Sequence, residues 1–236
     1  GRYFVRFHRR SAMLIKVCGM REPENIRQVA ETGIDWMGFI FYAHSARSID
    51  NGKWKIDNER KSSSLNNSQF SIFNFQLKRV GVFVNATPEE MMETAIRYRL
   101  DYLQLHGNES PDICYTLHKR GYAIIKAFSI ATEEDLKPVA DYEDRADYFL
   151  FDTKCSSYGG SGKQFDWSVL SAYKGQTPFL LSGGINPDSA EALRNFSHPK
   201  LAGIDLNSGF ETSPGMKDVE KLKTFIDKIK NKKTDI

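Results

Sequence analysis

Eight short apolar segments recur along this chain, and most neighbouring pairs are separated by residues with helical signals. A short apolar run without polar alternation is typical of a strand buried on both faces of a parallel sheet. Eight strand–helix alternations within roughly 200 residues match the usual size of a (β/α)8 barrel, so the pattern predicts an α/β chain folded as a single TIM barrel. The predicted strands are Leu14–Cys18, Trp36–Phe41, Arg79–Val84, Tyr102–Leu105, Ala123–Ala127, Tyr148–Phe151, Phe179–Leu181 and Leu201–Leu206.

The segments between the strands carry helix-start signals. Thr87-Pro-Glu-Glu combines an N-cap, a proline at the first helical position and an acidic first turn, and Ser110-Pro-Asp repeats this arrangement. Thr132-Glu-Glu-Asp is a variant capping box. Further starts are predicted at Pro23, Asn186-Pro187 and Pro214–Asp218.

An open doubly wound sheet is the alternative architecture. Such a sheet normally has a Gly-x-Gly-x-x-Gly turn after its first strand, whereas Cys18-Gly19-Met20-Arg21 contains one glycine. The barrel is therefore favoured.

Length and composition indicate one soluble globular domain. The 236 residues are 40% hydrophobic and 27% charged, with a formal net charge of +3. The basic runs at both ends lack the interleaved aromatic residues of a nucleic-acid platform, so we interpret them as solvated termini and expect no nucleic-acid partner. No apolar run approaches the roughly 18 residues that a membrane span requires, so no membrane partner is expected.

Two segments depart from the barrel pattern. Residues 1–12 are basic and lack the apolar core of a secretory signal; we interpret them as an upstream extension or an artificial remnant, with the barrel domain spanning 13–236. Residues 50–76 are rich in Asn, Ser and Lys, which predicts an irregular second helix.

The chain has three cysteines without close spacing, which favours a reducing compartment. We therefore expect a cytoplasmic protein. Its expected oligomeric state is a monomer or a homodimer.

Two residues that end predicted strands are candidate catalytic groups. Cys18 ends the first strand, where a helix N-terminus would lower the pKa of its thiol, and Lys16 points to the same side of that strand. Asp152 ends the sixth strand, before the glycine-rich stretch Tyr158–Lys163, which we interpret as a loop over the site. The competing interpretations are a small buried cysteine and a salt-bridged or helix-capping aspartate.

Glycines after the seventh and eighth strands indicate a phosphate site. Many barrels bind phosphate with these two loops and a helix N-terminus. We therefore expect a phosphorylated ligand at Gly183, Gly184, Asp205, Ser208 and Gly209, with a helix opening after the last of these.

The remaining candidates are polar side chains at the same rim. Arg47, after the second strand, suits a carboxylate or a phosphate, and its competing interpretation is an exposed surface arginine. Gln104 and His106 end the fourth strand, and His106 is either a base or a rim histidine satisfied by hydrogen bonds. No His/Cys/Asp/Glu cluster in the sequence has metal-ligand spacing, so no metal is expected.

These segments together resemble the phosphoribosylanthranilate isomerase family, in the same order and over about Leu14 to Phe225. The matching motifs are Lys16–Gly19, Gly38–Phe41 with Ser45–Arg47, Gly81–Asn85, Leu103–Gly107, Phe151–Thr153 through Gly159–Gly162, Leu181–Ile185, and Ser208–Glu211 with Pro214–Asp218. The chain departs from the family pattern with Ala46 in place of a proline and with Asn207 in place of a serine.

The resemblance implies an enzyme of tryptophan biosynthesis that needs no cofactor. It would convert N-(5-phosphoribosyl)anthranilate to 1-(2-carboxyphenylamino)-1-deoxyribulose 5-phosphate. It implies that Cys18 is the general base and Asp152 the general acid. Arg47 would face the anthranilate carboxylate, and the loops at Gly183–Gly184 and Ser208–Gly209 would hold the phosphate.

Two alternative functions fit the sequence less well. Another sugar-phosphate barrel enzyme, an indole-glycerol-phosphate synthase or a ribulose-phosphate epimerase, would show a lysine–glutamate set or metal-binding residues that this sequence lacks. A barrel that only binds a phosphometabolite would have no use for both Cys18 and Asp152.

Overall fold

The computed structural model describes residues 13–49, 77–153 and 167–230. The expected extension at 1–12, the Asn/Ser-rich segment 50–76 and the glycine-rich stretch 158–163 lie outside the described residues.

The eight predicted strands form a closed parallel barrel. Each strand pairs with the next along the chain, and β8 pairs back with β1, with Lys16 opposite Asp205. The predicted TIM barrel is confirmed, and the open-sheet alternative is excluded by the closing pair. The strands are β1 Leu14–Val17, β2 Trp36–Ile40, β3 Lys78–Phe83, β4 Tyr102–Leu105, β5 Ala123–Ser129, β6 Tyr148–Asp152, β7 Phe179–Ser182 and β8 Leu201–Leu206.

Helices surround the barrel and begin at the predicted caps. Thr87 closes a full capping box with Glu90, and the hydroxyl of Ser110 accepts from Ile113 N at 3.4 Å. No helix in the described ranges is long and apolar enough to cross a membrane. The α-helices are α1 Pro23–Ala30, α2 Pro88–Tyr98, α3 Pro111–Lys119, α4 Ala190–Asn195 and α5 Val219–Lys230.

The segment after β5 is a 3-10 helix, Glu133–Tyr142, rather than an α-helix. Pro138 lies inside it, where it lacks an N–H donor and its ring would clash with an α-helical carbonyl. Further 3-10 turns are formed by Trp167–Ala172, Pro187–Ser189 and Ser208–Phe210.

The predicted helix start at Pro214–Asp218 is confirmed only at Asp218, whose Oδ1 accepts from Lys221 N at 3.1 Å and caps the last helix. The residues before it, Pro214–Lys217, are not helical. This segment completes a small antiparallel hairpin, β9 Glu211–Ser213 and β10 Met216–Lys217. Gly215 turns the chain with φ +83°, a conformation that favours glycine. The last helix begins only at Val219.

Side chains inside the barrel change character from one end to the other. At the amino ends of the strands, Trp36 stacks on Tyr102 at a centroid distance of 4.4 Å and meets Tyr148 edge-on at 5.0 Å. An apolar layer that includes Val80 and Leu150 lies above them. Polar side chains replace the apolar ones at the carboxyl ends of the strands, where the cavity lies.

Candidate active site

A cavity of about 460 Å³ opens at the carboxyl ends of the strands. Every predicted site residue lines it except Gly209. A Cβ on Gly209 would lie 2.3 Å from the carbonyl oxygen of Ile185, so this glycine allows the loops after β7 and β8 to pack together. The predicted residues that line the cavity are Cys18, Arg47, Gln104, His106, Asp152, Gly183, Gly184, Asp205 and Ser208.

Cys18 lies directly after β1, where its N–H donates to Leu206 O at 2.8 Å. The ammonium of Lys16 is fully buried and donates to Asp205 Oδ1 at 2.8 Å. The second carboxylate oxygen of Asp205 accepts from Ser182 Oγ at 3.2 Å. Closing β8 onto β1 therefore places a buried ion pair beside the thiol.

The predicted lowering of the thiol pKa is wrong. Burial raises the pKa of Cys18, and although Lys16 opposes this effect, the net direction is upward. Helix α1 begins only at Pro23, and a helix dipole acts mainly within its first turn. Burial alone would lower the pKa of Lys16, but Asp205 and Cys18 raise it, so this lysine is a cation.

Asp152 ends β6 and lines the same cavity as Cys18, with only 8% of its surface exposed. Its backbone carbonyl accepts from Ile130 N at 2.9 Å, which ties this end of β6 to the residue after β5. In a barrel of eight strands, β1 and β6 stand on different sides of the mouth, so the carboxyl and the thiol approach a ligand from different directions.

Gln104 and His106 are coupled at the end of β4. Gln104 Nε2 lies 3.0 Å from His106 Nδ1, and Gln104 Oε1 is buried with no hydrogen-bond partner among the described residues. The side chain of His106 is exposed within the open cavity, and partial desolvation by the cavity wall lowers its pKa, with Asp152 opposing. The imidazole is therefore neutral at neutral pH, and with Nδ1 accepting from Gln104 its Nε2 carries the proton.

Glu109 and Lys126 support the loop that carries His106, and sequence reasoning missed both. Glu109 Oε1 accepts from Asn85 N at 2.9 Å, and its Oε2 accepts from Gly107 N at 2.9 Å. Lys126 Nζ lies 3.3 Å from Glu109 Oε2 and donates to Gly107 O at 2.8 Å. Burial of both partners makes this pair a rigid support rather than a surface contact.

Arg47 is paired with a residue that sequence reasoning did not single out. Its Nε donates to Glu211 Oε1 at 2.8 Å, and its Nη2 donates to Oε2 at 2.8 Å. Lys217 Nζ also donates to Glu211 Oε1 at 2.6 Å and to Asn207 Oδ1 at 3.0 Å. The β9–β10 hairpin thus brings a carboxylate and a lysine against Arg47 and Asn207, which line the cavity. Glu211 and Lys217 lie within the motifs that carry the family resemblance, and those motifs were the sequence signal that could have identified them.

The two glycines after β7 have positive φ, at +101° for Gly183 and +64° for Gly184. This backbone conformation is accessible to glycine and lets the chain approach a ligand closely. The predicted helix after Ser208–Gly209 is absent, because a single 3-10 turn leads directly into β9. Within the described ranges, no group of three or more His, Cys, Asp or Glu is arranged to hold a metal ion.

Comparison with known proteins identifies the family of this chain. The family model for N-(5'phosphoribosyl)anthranilate (PRA) isomerase matches residues 15–228. The N-(5'-phosphoribosyl)anthranilate isomerase of Parabacteroides distasonis is 61% identical over 217 residues, covering 92% of this chain and 93% of that relative.

Solved structures of phosphoribosyl anthranilate isomerases share this fold. The phosphoribosyl anthranilate isomerase of Thermotoga maritima has a TM-score of 0.74 at 32% identity, covering 92% of this chain and 98% of that chain. A second structure holds reduced 1-(o-carboxyphenylamino)-1-deoxyribulose 5-phosphate, with a TM-score of 0.72 at 29% identity and the same coverage. Nearly the whole chain is matched in sequence and in structure, and it belongs to the N-(5'-phosphoribosyl)anthranilate isomerase family.

Proposed function

We propose that this cavity converts N-(5-phosphoribosyl)anthranilate to 1-(2-carboxyphenylamino)-1-deoxyribulose 5-phosphate, the isomerase step of tryptophan biosynthesis, in the cytoplasm. The observation that carries the proposal is the pair of buried proton-transfer groups, Cys18 and Asp152, on the wall of one cavity. Family membership supports the same reaction.

The chemistry requires one acid and one base. Asp152 protonates the ring oxygen of the aminofuranose, so that the C1′–O bond breaks and its electron pair stays on the oxygen. The nitrogen lone pair then forms an iminium, which makes the C2′ proton acidic. Cys18 removes that proton to give an enolamine, which tautomerises to the ketone. Each proton transfer contributes about 10²–10⁴-fold.

The base must be a thiolate, although burial favours the thiol form of Cys18. Lys16 opposes burial and so increases the thiolate population. The reactive pair, Cys18 thiolate with protonated Asp152, holds the same number of protons as the thiol with a carboxylate. As long as the two groups carry one proton in total, the fraction of enzyme in this reactive form therefore does not depend on pH.

Other groups at the cavity hold the two ends of the substrate, its carboxylate and its phosphate, around Cys18 and Asp152. Arg47 binds the anthranilate carboxylate, and the backbone around Gly183, Gly184 and Ser208 binds the phosphate. His106 donates from Nε2 to a sugar hydroxyl. Asp205 positions Lys16 and Ser182, because both of its carboxylate oxygens are already engaged.

Replacement of the thiol tests the proposal. Cys18→Ala is expected to lower kcat by about 10²-fold or more, followed by the fluorescence loss of phosphoribosylanthranilate generated in situ. Cys114→Ala is the matched control, because Cys114 is an equally buried thiol on α3 outside the cavity. A Cys18→Ala enzyme within a few-fold of wild type would remove the thiol from the mechanism.

A further inference from the structure

The contact between Arg47 and Glu211 uses one side of the guanidinium, and among the described residues the other side makes no hydrogen bond. Glu211 accepts from Nε and Nη2, at 2.8 Å each, which is the side-on arrangement of an arginine–carboxylate pair. A guanidinium has five N–H donors in a fixed plane, so one N–H of Nη1 and one of Nη2 point together from its end. Arg47 is 26% exposed and lines the cavity, whereas Glu211 is 5% exposed.

The charges of Arg47, Lys217 and Glu211 do not sum to zero when Lys217 is protonated. Two cations, Arg47 and Lys217, share the single carboxylate of Glu211. Burial and the two cations act in opposite directions on Glu211, and the cations prevail, so its pKa is lowered and it is a carboxylate at neutral pH. Burial lowers the pKa of Lys217, and Glu211 opposes this effect. In the form with Lys217 protonated, the trio carries a net charge of +1, which one ligand carboxylate would neutralise.

Glu211 is itself held firmly. Its Oε1 accepts from Gly215 N at 3.2 Å in addition to the two cations. Asn25 on α1 anchors the hairpin, since its side-chain amide accepts from Lys217 N at 2.8 Å and donates to Lys217 O at 2.9 Å. A carboxylate fixed by this many partners constrains the arginine that it binds.

We propose that Glu211 is a positioning residue that holds Arg47 side-on and so presents the end of the guanidinium to the substrate carboxylate. This inference rests on the proposed function, because it takes the anthranilate carboxylate as the ligand of Arg47. Glu211 does not compete with that carboxylate, since the two use different N–H groups.

The test compares two ligands that differ in one group. Reduced 1-(o-carboxyphenylamino)-1-deoxyribulose 5-phosphate carries the carboxylate, and its phenylamino counterpart lacks it. We expect Glu211→Gln to weaken binding of the first ligand by about tenfold in calorimetry and to leave the second unchanged. The KM for phosphoribosylanthranilate should rise by a similar factor, with kcat within about threefold of wild type.

Two variants complete the design. Glu24→Gln is the matched control, because Glu24 also binds an arginine side-on, with Arg27 Nε at 3.0 Å and Nη2 at 2.6 Å, on the exposed face of α1. It should leave both affinities unchanged. In the Arg47→Met background, Glu211→Gln should have no further effect on binding of the carboxylated ligand. Should Glu211→Gln not fold by circular dichroism, Glu211→Asp serves the same comparison with the same expected direction.

Four results would overturn the inference. Tighter binding of the carboxylated ligand in Glu211→Gln would mean that Glu211 competes for Arg47. Equal weakening of both ligands, or effects of Glu211→Gln and Arg47→Met that simply add, would reduce Glu211 to a structural role. A wild-type protein that binds both ligands equally would show that Arg47 does not take the carboxylate. Failure of the proposed function appears separately, as a wild-type protein without turnover of phosphoribosylanthranilate.

Discussion

The thiol of Cys18 lies beside charges of both signs. Lys16 and Lys217 lower its pKa, whereas burial and Asp205 raise it, and burial is the largest effect. Lys16 is kept charged by the carboxylate with which it pairs at 2.8 Å. The reactivity of Cys18 therefore depends on Lys16, which lies two residues earlier in the chain, on β1.

Lys16→Met should raise the pKa of Cys18 further, because it removes a cation and leaves the carboxylate of Asp205 unopposed. Asp205→Asn should shift it in the opposite direction. The measurement is the pH dependence of alkylation by iodoacetamide, which reacts with the thiolate, followed at the Cys18 peptide by mass spectrometry. Lys78→Met, an exposed lysine at the start of β3, should leave the profile unchanged. Identical profiles in all variants would exclude electrostatic tuning of Cys18 by the ion pair.

The β9–β10 hairpin acts as a single element of the site. It carries Glu211 and Lys217, and its attachment to α1 depends on the buried amide of Asn25. Asp218 N donates to Phe210 O at 2.7 Å and closes the base of the hairpin. The site is thus supported from the helical layer as well as from the strands.

Asn25→Leu should detach this hairpin, because it leaves the N–H and C=O of Lys217 buried without partners. The expected cost is about 2–6 kcal/mol in the free energy of unfolding, from about 1–3 kcal/mol for each group. Deuterium exchange over Glu211–Lys217 should accelerate, and the KM should rise. Gln28→Leu, on the exposed face of the same helix, is the control. Unchanged exchange in Asn25→Leu would show that the hairpin is held by other contacts.

At the scale of the whole molecule, chemistry and stability lie at opposite ends of the barrel. Polar groups gather at the carboxyl ends of the strands, whereas the amino ends are closed by aromatic packing. Tyr173 lies before β7 at the amino-terminal end, with its hydroxyl 2.7 Å from Thr177 O and 3.0 Å from Glu143 Oε1. Burial raises its pKa, and the adjacent Glu143 raises it further.

Tyr173 should contribute stability that is lost in alkali. The unfolded tyrosine loses its proton near pH 10, whereas the folded one keeps it. The contribution is therefore complete below about pH 10 and falls as the pH rises toward the folded pKa. Tyr173→Phe should cost about 1 kcal/mol at pH 8 and lose less stability than wild type between pH 9 and 11 in urea unfolding, with unchanged kcat at pH 8. Parallel curves for the two proteins would contradict the linkage.

Local pattern determined the architecture and the positions of most site residues. Short apolar runs mark strands wherever they occur, eight of them specify a closed barrel, and a residue that ends a strand lies at the rim. Cys18, Asp152, Arg47 and Ser208 therefore line one cavity as predicted, and the caps at Thr87 and Ser110 follow from neighbouring residues alone.

Only the tertiary structure decided which charges meet. Arg47 pairs with Glu211 across 164 residues, and Lys16 pairs with Asp205 across 189, because closing the barrel brings β8 and the hairpin beside β1 and β2. The direction of the Cys18 pKa shift was also beyond the sequence, since burial is a property of the packed whole. Pairing partners and desolvation depend on residues distant along the chain, so no local pattern encodes them.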